Sequence, residues 1–230
     1  MKKIAIIGAL ESEVKLLKDE LSNLETIEIA GNQYFSGMIN NTNIVLTKCG
    51  IGKVSASICT QIMITKFNPD YVINTGCAGA IDKNLKIGDF VISKSAIEWD
   101  IDIQAIGFPR GYISALNQVE INADEYLIKQ LEKVFSNQNK LIKGLIVSGD
   151  QFISTNQQRE LILNSFPKAL CAEMEGASVA HVCAQNQVPF CIIRCMSDTA
   201  DGNSGVNYEE FSAIAGEKSA KILIEMLKGW

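Results

Sequence analysis

The chain has 230 residues, 47% of them hydrophobic and 20% charged, and a net charge of −5 at pH 7. That length and apolar content can bury a full core near the upper limit of what one core supports, so a single domain over residues 1–230 is expected. The lysines and arginines are scattered rather than clustered, which leaves no electrostatic footprint for polynucleotide phosphates and excludes nucleic acid as the expected partner.

In chain order, Lys2 and Lys3 precede a short apolar run, Ile4 to Ile7, that stops at Gly8. The run is too short for the core of a signal peptide or for a membrane span, so a cytoplasmic protein without membrane contact is expected. Similar runs rich in Ile and Val recur at Ile44 to Leu46, Tyr71 to Ile73, Phe90 to Ile92, Leu145 to Val147 and Phe190 to Ile193. Their continuity suits strands buried on both faces. Between them, Val14, Leu17, Leu21 and Leu24 share one helical face, as do Leu127, Ile128, Leu131 and Phe135. Asn32 to Lys48, with turn material at Asn40 to Asn43, reads as a hairpin, which makes the sheet mixed. Trp99 to Glu120 carries Gly107, Pro109 and Gly111 without a sustained period and reads as a long loop. An apolar helix over Met174 to Cys183 takes His181 as a packed residue, and Tyr208 to Leu227 forms a closing helix. Elements alternating in this way predict an α/β sandwich around a largely central sheet, without a clean doubly wound order.

Seven cysteines, an odd number lying mostly inside apolar runs, show no C-x-x-C pair. They read as small core residues of a reducing compartment. With His181 the sole histidine, no His-rich metal site is expected, and neither a metal nor a cofactor is called for.

The glycine loops fail two familiar tests. After Gly8, Leu10 and Glu13 stand where a dinucleotide fingerprint needs its second and third glycines. Ahead of Gly52-Lys53, Thr47 replaces the first glycine of a P-loop, and Val54 replaces the hydroxyl residue that would hold magnesium. What remains is a strand running into a Gly-containing turn three times: Gly8 after Ile7, Gly50 after Lys48, and Thr75 to Ala80 after Ile73. Such turns at strand carboxyl ends admit ligands close to backbone N–H groups, although any one of them can simply shape the chain.

Glu13, Glu173, Glu175 and Asp198 all fall at strand-to-helix junctions. One acid in a first helical turn can merely complement the helix dipole. Three junctions that place carboxylates on one sheet edge fit an acid and base pair with a charge-stabilising group. Cys77 has no evident base partner and reads as a small turn residue rather than a nucleophile.

Taken together, the segments Ile6 to Val14, Gly50 to Val54, Asn74 to Gly79, Ser148 to Ile153, Glu173 to Ala177 and Ser197 to Asp201 resemble, in this order, the bacterial 5′-methylthioadenosine/S-adenosylhomocysteine nucleosidases of the purine nucleoside phosphorylase superfamily. The resemblance runs from residue 3 to the closing helix. It implies a three-layer α/β/α, nucleoside phosphorylase-like fold with a central mixed sheet, a homodimer, and hydrolysis of an adenine nucleoside by water. Glu13 then matches the group that activates water, Glu175 the group that binds the ribose hydroxyls, and Asp198 the acid at adenine N7, oriented by Ser197. Met174 matches a ribose contact, Phe152 the residue stacked on the base, Ile153 a backbone contact to the adenine edge, and Arg194 an arginine near water and ribose. Ile51 and Tyr208 match the pocket for the 5′-thio substituent, and Cys77, Ala78, Gly79, Glu173 and Ala200 complete the implied binding set. The sequence departs from the pattern where Cys77 replaces a common serine and where Gln151 replaces a small residue beside Phe152.

Three rivals remain. A phosphorylase needs arginines for an anionic nucleophile, and only Arg110, Arg159 and Arg194 are present. An aminodeoxyfutalosine nucleosidase would differ in the Trp99 to Glu120 loop and around Tyr208. A nucleoside-binding module without catalysis would not need Glu13, Glu175 and Asp198 together.

Overall fold

The first apolar run becomes β1 (Lys3–Gly8), and its alternation sets the layers. Ile4 and Ile6 pack into one core, while Ala5 and Ile7 pack into another on the opposite face. The structure is a computed structural model that describes residues 2–135, 140–199 and 208–230. After β1 come α1 (Glu11–Asp19), β2 (Ser22–Ile29), β3 (Asn32–Ile39), β4 (Thr42–Lys48), α2 (Lys53–Phe67), β5 (Tyr71–Ala80) and β6 (Phe90–Glu98). A short 3₁₀ turn at Gln104–Ile106 then leads to β7 (Ile121–Asn122), α3 (Glu125–Val134), β8 (Leu141–Ser148), α4 (Asn156–Ser165), β9 (Ala169–Glu173), α5 (Gly176–Gln185), β10 (Phe190–Asp198) and α6 (Tyr208–Lys228).

Ten strands form one mixed sheet. β4, β1, β5 and β10 run parallel, and β3 and β2 add an antiparallel meander beyond β4. At the other end the sheet closes on itself: β10 pairs with β5 and also with β6, then β6 with β8, β8 with β9, and β9 back onto β5. Helices α1, α3 and α6 cover the face that holds Ile6, Leu131 and Leu223. Helices α2 and α5 cover the face that holds Ile7, Met63 and Val179. The expected three-layer α/β/α arrangement is therefore present.

Three expectations need correction. Leu24 does not extend the first helix: α1 ends at Asp19, Leu21 stays buried, and Leu24 is exposed within β2. Pairing of β2 with β3 overrides the helical spacing there. Thr75 to Ala80 is the second half of β5 and not a turn, because β10 pairs with it residue by residue from Thr75 to Gly79. Phe135 lies one residue beyond the end of α3.

Candidate active site

The site begins at the start of α1. Glu13 is buried and its carboxylate folds back over the helix N-terminus, where Oε2 accepts from the N–H groups of Ala9 at 2.6 Å and Leu10 at 2.9 Å. Its other oxygen accepts from the Cys77 N–H at 3.0 Å. A carboxylate offers about four acceptor positions, so three fixed donors hold it rigidly and leave room for one further partner.

That approach is possible because Gly76 has no side chain. A Cβ there would lie 2.5 Å from Glu13 Oε1 and 3.0 Å from Arg194 Nη1. Arg194 faces Gly76 across the β5–β10 pairing and is only 1% exposed. Its Nη2 donates to Asn74 Oδ1 and to Glu173 Oε2, and lies 3.9 Å from Glu175 Oε2. Burial, the largest influence, works against the charge of Arg194, but Glu173, Glu175 and Glu13 outweigh it and keep the guanidinium protonated.

Glu173 and Glu175 arrive by an unexpected route. β9 runs antiparallel to β5 and pairs only with its tip, Gly79 with Ala172 and Ala80 with Cys171. The end of β9 therefore turns back beside the strand that carries Gly76. Glu173 is fully occupied: it accepts from the Ser148 hydroxyl, from Arg194, and from the N–H groups of Glu175 at 3.1 Å and Gly176 at 2.7 Å. It caps α5 and anchors the arginine. Glu175, at the N-cap of α5, accepts from the Gly52 N–H at 2.9 Å and keeps acceptor capacity for a ligand. Burial first, and then the charge of Glu173, push the Glu175 carboxyl well above the usual carboxylate range, against the pull of Arg194 and Gly52.

Asp198 ends β10 beyond a bulge: Met196 pairs with Ala78 and Asp198 with Gly79, so Ser197 is the extra residue. Bulges of this kind re-aim a side chain, and Asp198 faces a cleft that it lines with Gly79, Phe152, Ile153 and Met174. The Ser197 hydroxyl is directed at the Ala78 carbonyl, 3.4 Å away.

Of the residues expected from sequence, Glu13 and Arg194 thus meet at Gly76, Glu175 lies 3.9 Å from Arg194, and Glu173, Asp198, Met174, Phe152, Ile153 and Gly79 share the adjoining cleft. Cys77 serves through its backbone N–H, and burial together with the Glu13 charge pushes its thiol far up, which removes it as a nucleophile. Ile51 is exposed in the loop before α2, outside the cleft lining. Ala200 and the side chain of Tyr208 lie outside the described residues. Sequence reading gave no role to Ser148, which also accepts from the Ala177 N–H at 2.7 Å, or to Asn74, whose amide donates to the Ile7 carbonyl at 2.9 Å. The signal for Asn74 was there, as a polar residue at the end of a buried apolar run.

The fold and this carboxylate-rich site define a class. A model of the phosphorylase superfamily matches residues 3–228. A 5′-methylthioadenosine/S-adenosylhomocysteine nucleosidase of Staphylococcus carnosus is 43% identical over 226 residues, covering 98% of this chain and 99% of that one. The solved nucleosidase of the same name from Neisseria meningitidis, in complex with methylthio-immucillin-A, is 34% identical with a TM-score of 0.96 over 100% of both chains. A futalosine hydrolase mutant of Helicobacter pylori is 32% identical with a TM-score of 0.94, again over 100% of both. The chain belongs to the 5′-methylthioadenosine/S-adenosylhomocysteine nucleosidase family of the phosphorylase superfamily.

Proposed function

We propose that this chain hydrolyses the N-glycosidic bond of 5′-methylthioadenosine and S-adenosylhomocysteine, releasing adenine and the matching thioribose. The observation that carries the reading is the charge of the site: Glu13, Glu173 and Glu175 surround Arg194. A pocket with this excess of carboxylates repels phosphate and accepts water. The other two arginines are committed elsewhere, Arg110 to Asp102 at 2.5 Å and Arg159 to the Ile81 carbonyl at 2.6 Å, so neither holds an anionic nucleophile.

In the proposed reaction Glu13 takes the proton of the attacking water with its remaining acceptor position. Glu175 accepts from the ribose hydroxyls, and that interaction strengthens as the ribose becomes cationic, which makes it catalysis rather than binding alone. Asp198 delivers a proton to N7, because adenine leaves poorly as an anion. Phe152 and Ile153 form the base wall of the cleft.

The test is adenine release from both nucleosides with and without phosphate. Equal release is expected, and a requirement for phosphate would make the protein a phosphorylase. Faster release from aminodeoxyfutalosine than from either would move the substrate assignment and leave the chemistry in place.

The assembly we propose is a homodimer, supported by an apolar patch at the start of α2 and in the loop before it, where Ile51, Val54 and Ile58 are 56%, 69% and 45% exposed. A cytoplasmic setting is supported by seven free cysteines. No helix among the described residues is long and apolar enough to cross a membrane. Recovery of the protein outside the cytosolic fraction would contradict that setting.

A further inference from the structure

One lysine with no part in this chemistry ties together the segments that build the site. Lys53, the first residue of α2, donates through Nζ to Asp100 Oδ1 at 2.6 Å and Glu98 Oε2 at 3.0 Å, and its backbone N–H donates to Asp150 Oδ1 at 2.8 Å. Asp100 reaches on through its second oxygen to the Asp150 N–H at 2.8 Å, and the second oxygen of Glu98 lies 2.7 Å from His181 Nδ1. The ammonium therefore joins the loop before α2, the end of β6, the β8–α4 loop that carries Phe152 and Ile153, and, through Glu98, the helix α5 that starts after Glu175.

Burying an ammonium among carboxylates adds little net stability compared with well-packed apolar residues, so its value here lies in geometry. Gly52, the residue before Lys53, has φ of +100°, and a Cβ there would lie 3.1 Å from Asp150 Oδ1. This is the glycine whose N–H meets Glu175.

We propose that Lys53 is a positioning residue for the hydrolysis: its ammonium clamps Asp100 and Glu98, Asp100 in turn holds the Asp150 N–H, and this aims the Gly52 N–H at Glu175 and sets the Asp150–Ile153 segment against the base. The proposal rests on the activity proposed above. Glu175 is faced by Glu173 from its own segment, Arg194 from β10, Glu13 from α1, the Cys49 thiol after β4 and the Gly52 N–H. Lys53 itself faces Glu98 and Asp100, with His181 on the far side of Glu98. Among the partners of Glu175, the Gly52 N–H is the one Lys53 holds. It favours the ionised carboxylate, so its misplacement leaves Glu175 protonated to higher pH.

The experiment compares adenine release from methylthioadenosine by the wild type, Lys53→Met and Asp100→Asn across pH, with thermal melts of each. Lys53→Met is expected to lose on the order of tenfold to hundredfold in kcat/KM, as small misplacements near a reacting centre do. The acid limb of its kcat/KM profile should also move to higher pH. Asp100→Asn, which keeps an acceptor for Asp150, should shift the limb the same way by less. An unmoved acid limb in both variants, whatever happens to the melting temperature, overturns the positioning role. If Lys53→Met does not fold, Asp100→Asn decides by the same reading. A wild type that releases no adenine would instead refute the activity itself, a result the variants are not needed to recognise.

Discussion

At the scale of single residues, the site depends on which acceptor positions are already filled. Glu173 has four donors and Glu13 has three, while Glu175 keeps most of its capacity. Three acids that look alike in sequence thereby differ in what they can still accept, which in the proposed reaction makes Glu173 an anchor, Glu13 a base and Glu175 a ligand for hydroxyls. Replacing Glu13 with Gln puts an amide among three N–H donors and removes the basic oxygen, so kcat/KM is expected to fall by about 10²-fold or more with the fold retained. Asp198→Asn should do the same by removing the acid. Wild-type turnover of either variant, measured as adenine release, would end the role assigned to that residue. Gly76→Ala makes a complementary case, because its methyl group would push into the Glu13 carboxylate and the Arg194 guanidinium. A large loss of kcat with a melting temperature lowered by several degrees is the expected pattern, since overpacking of this kind costs about 1–3 kcal/mol, and an active Gly76→Ala variant would show that the close approach is not needed. The residues of this group were legible because their types are chemically unusual at strand ends. The resemblance told Glu175 from Glu173, but the physical reason was not legible in the residues themselves, since two of the four donors that fill Glu173, Ser148 and Arg194, lie far away in the chain.

At the scale of elements, the runs at β1, β4, β6, β8 and β10 and the helix faces of α1 and α3 were readable from periodicity, because burial on a sheet or helix face imposes it. β9 was harder to place, since its five residues read from sequence only as the run leading to Glu173 and its role comes from pairing with the tip of β5. That pairing is what returns Glu173 and Glu175 to Arg194, and Ser148 at the end of β8 locks it. The serine hydroxyl donates to Glu173 and accepts from the Ala177 N–H, tying β8 to β9 and to the first turn of α5. Ser148→Ala leaves a buried N–H and one carboxylate position unmet, which should destabilise the protein by about 1–3 kcal/mol. Chemical denaturation reads this directly, and a change below about 0.5 kcal/mol, the scale of an ordinary surface substitution, would mean the junction tolerates the loss.

At the scale of the whole molecule, the mixed sheet was foreseeable from the hairpin, but its closure through β10, β6, β8, β9 and β5 was not, because closure is a property of pairing between distant strands. Assembly is a similar property, yet here the sequence and the surface offer a handle. Val54 and Ile58 lie about one turn apart at the start of α2 and Ile51 lies in the loop just before it, and all three apolar side chains are exposed while Lys53 between them turns inward. A stripe of Ile, Val and Ile facing water gains about 25 cal/mol for each Å² that a partner covers, and a stable interface of about 1,600 Å² needs such a patch near its centre. Val54→Glu would place a charge in that patch, so the proposed dimer should dissociate to monomer on analytical ultracentrifugation. The stripe begins beside the Gly52 contact to Glu175. Loss of the partner should therefore also weaken substrate binding, raising KM more than it lowers kcat. A wild type that sediments as a monomer at micromolar concentration with full activity would dispose of the dimer and of its link to the site together.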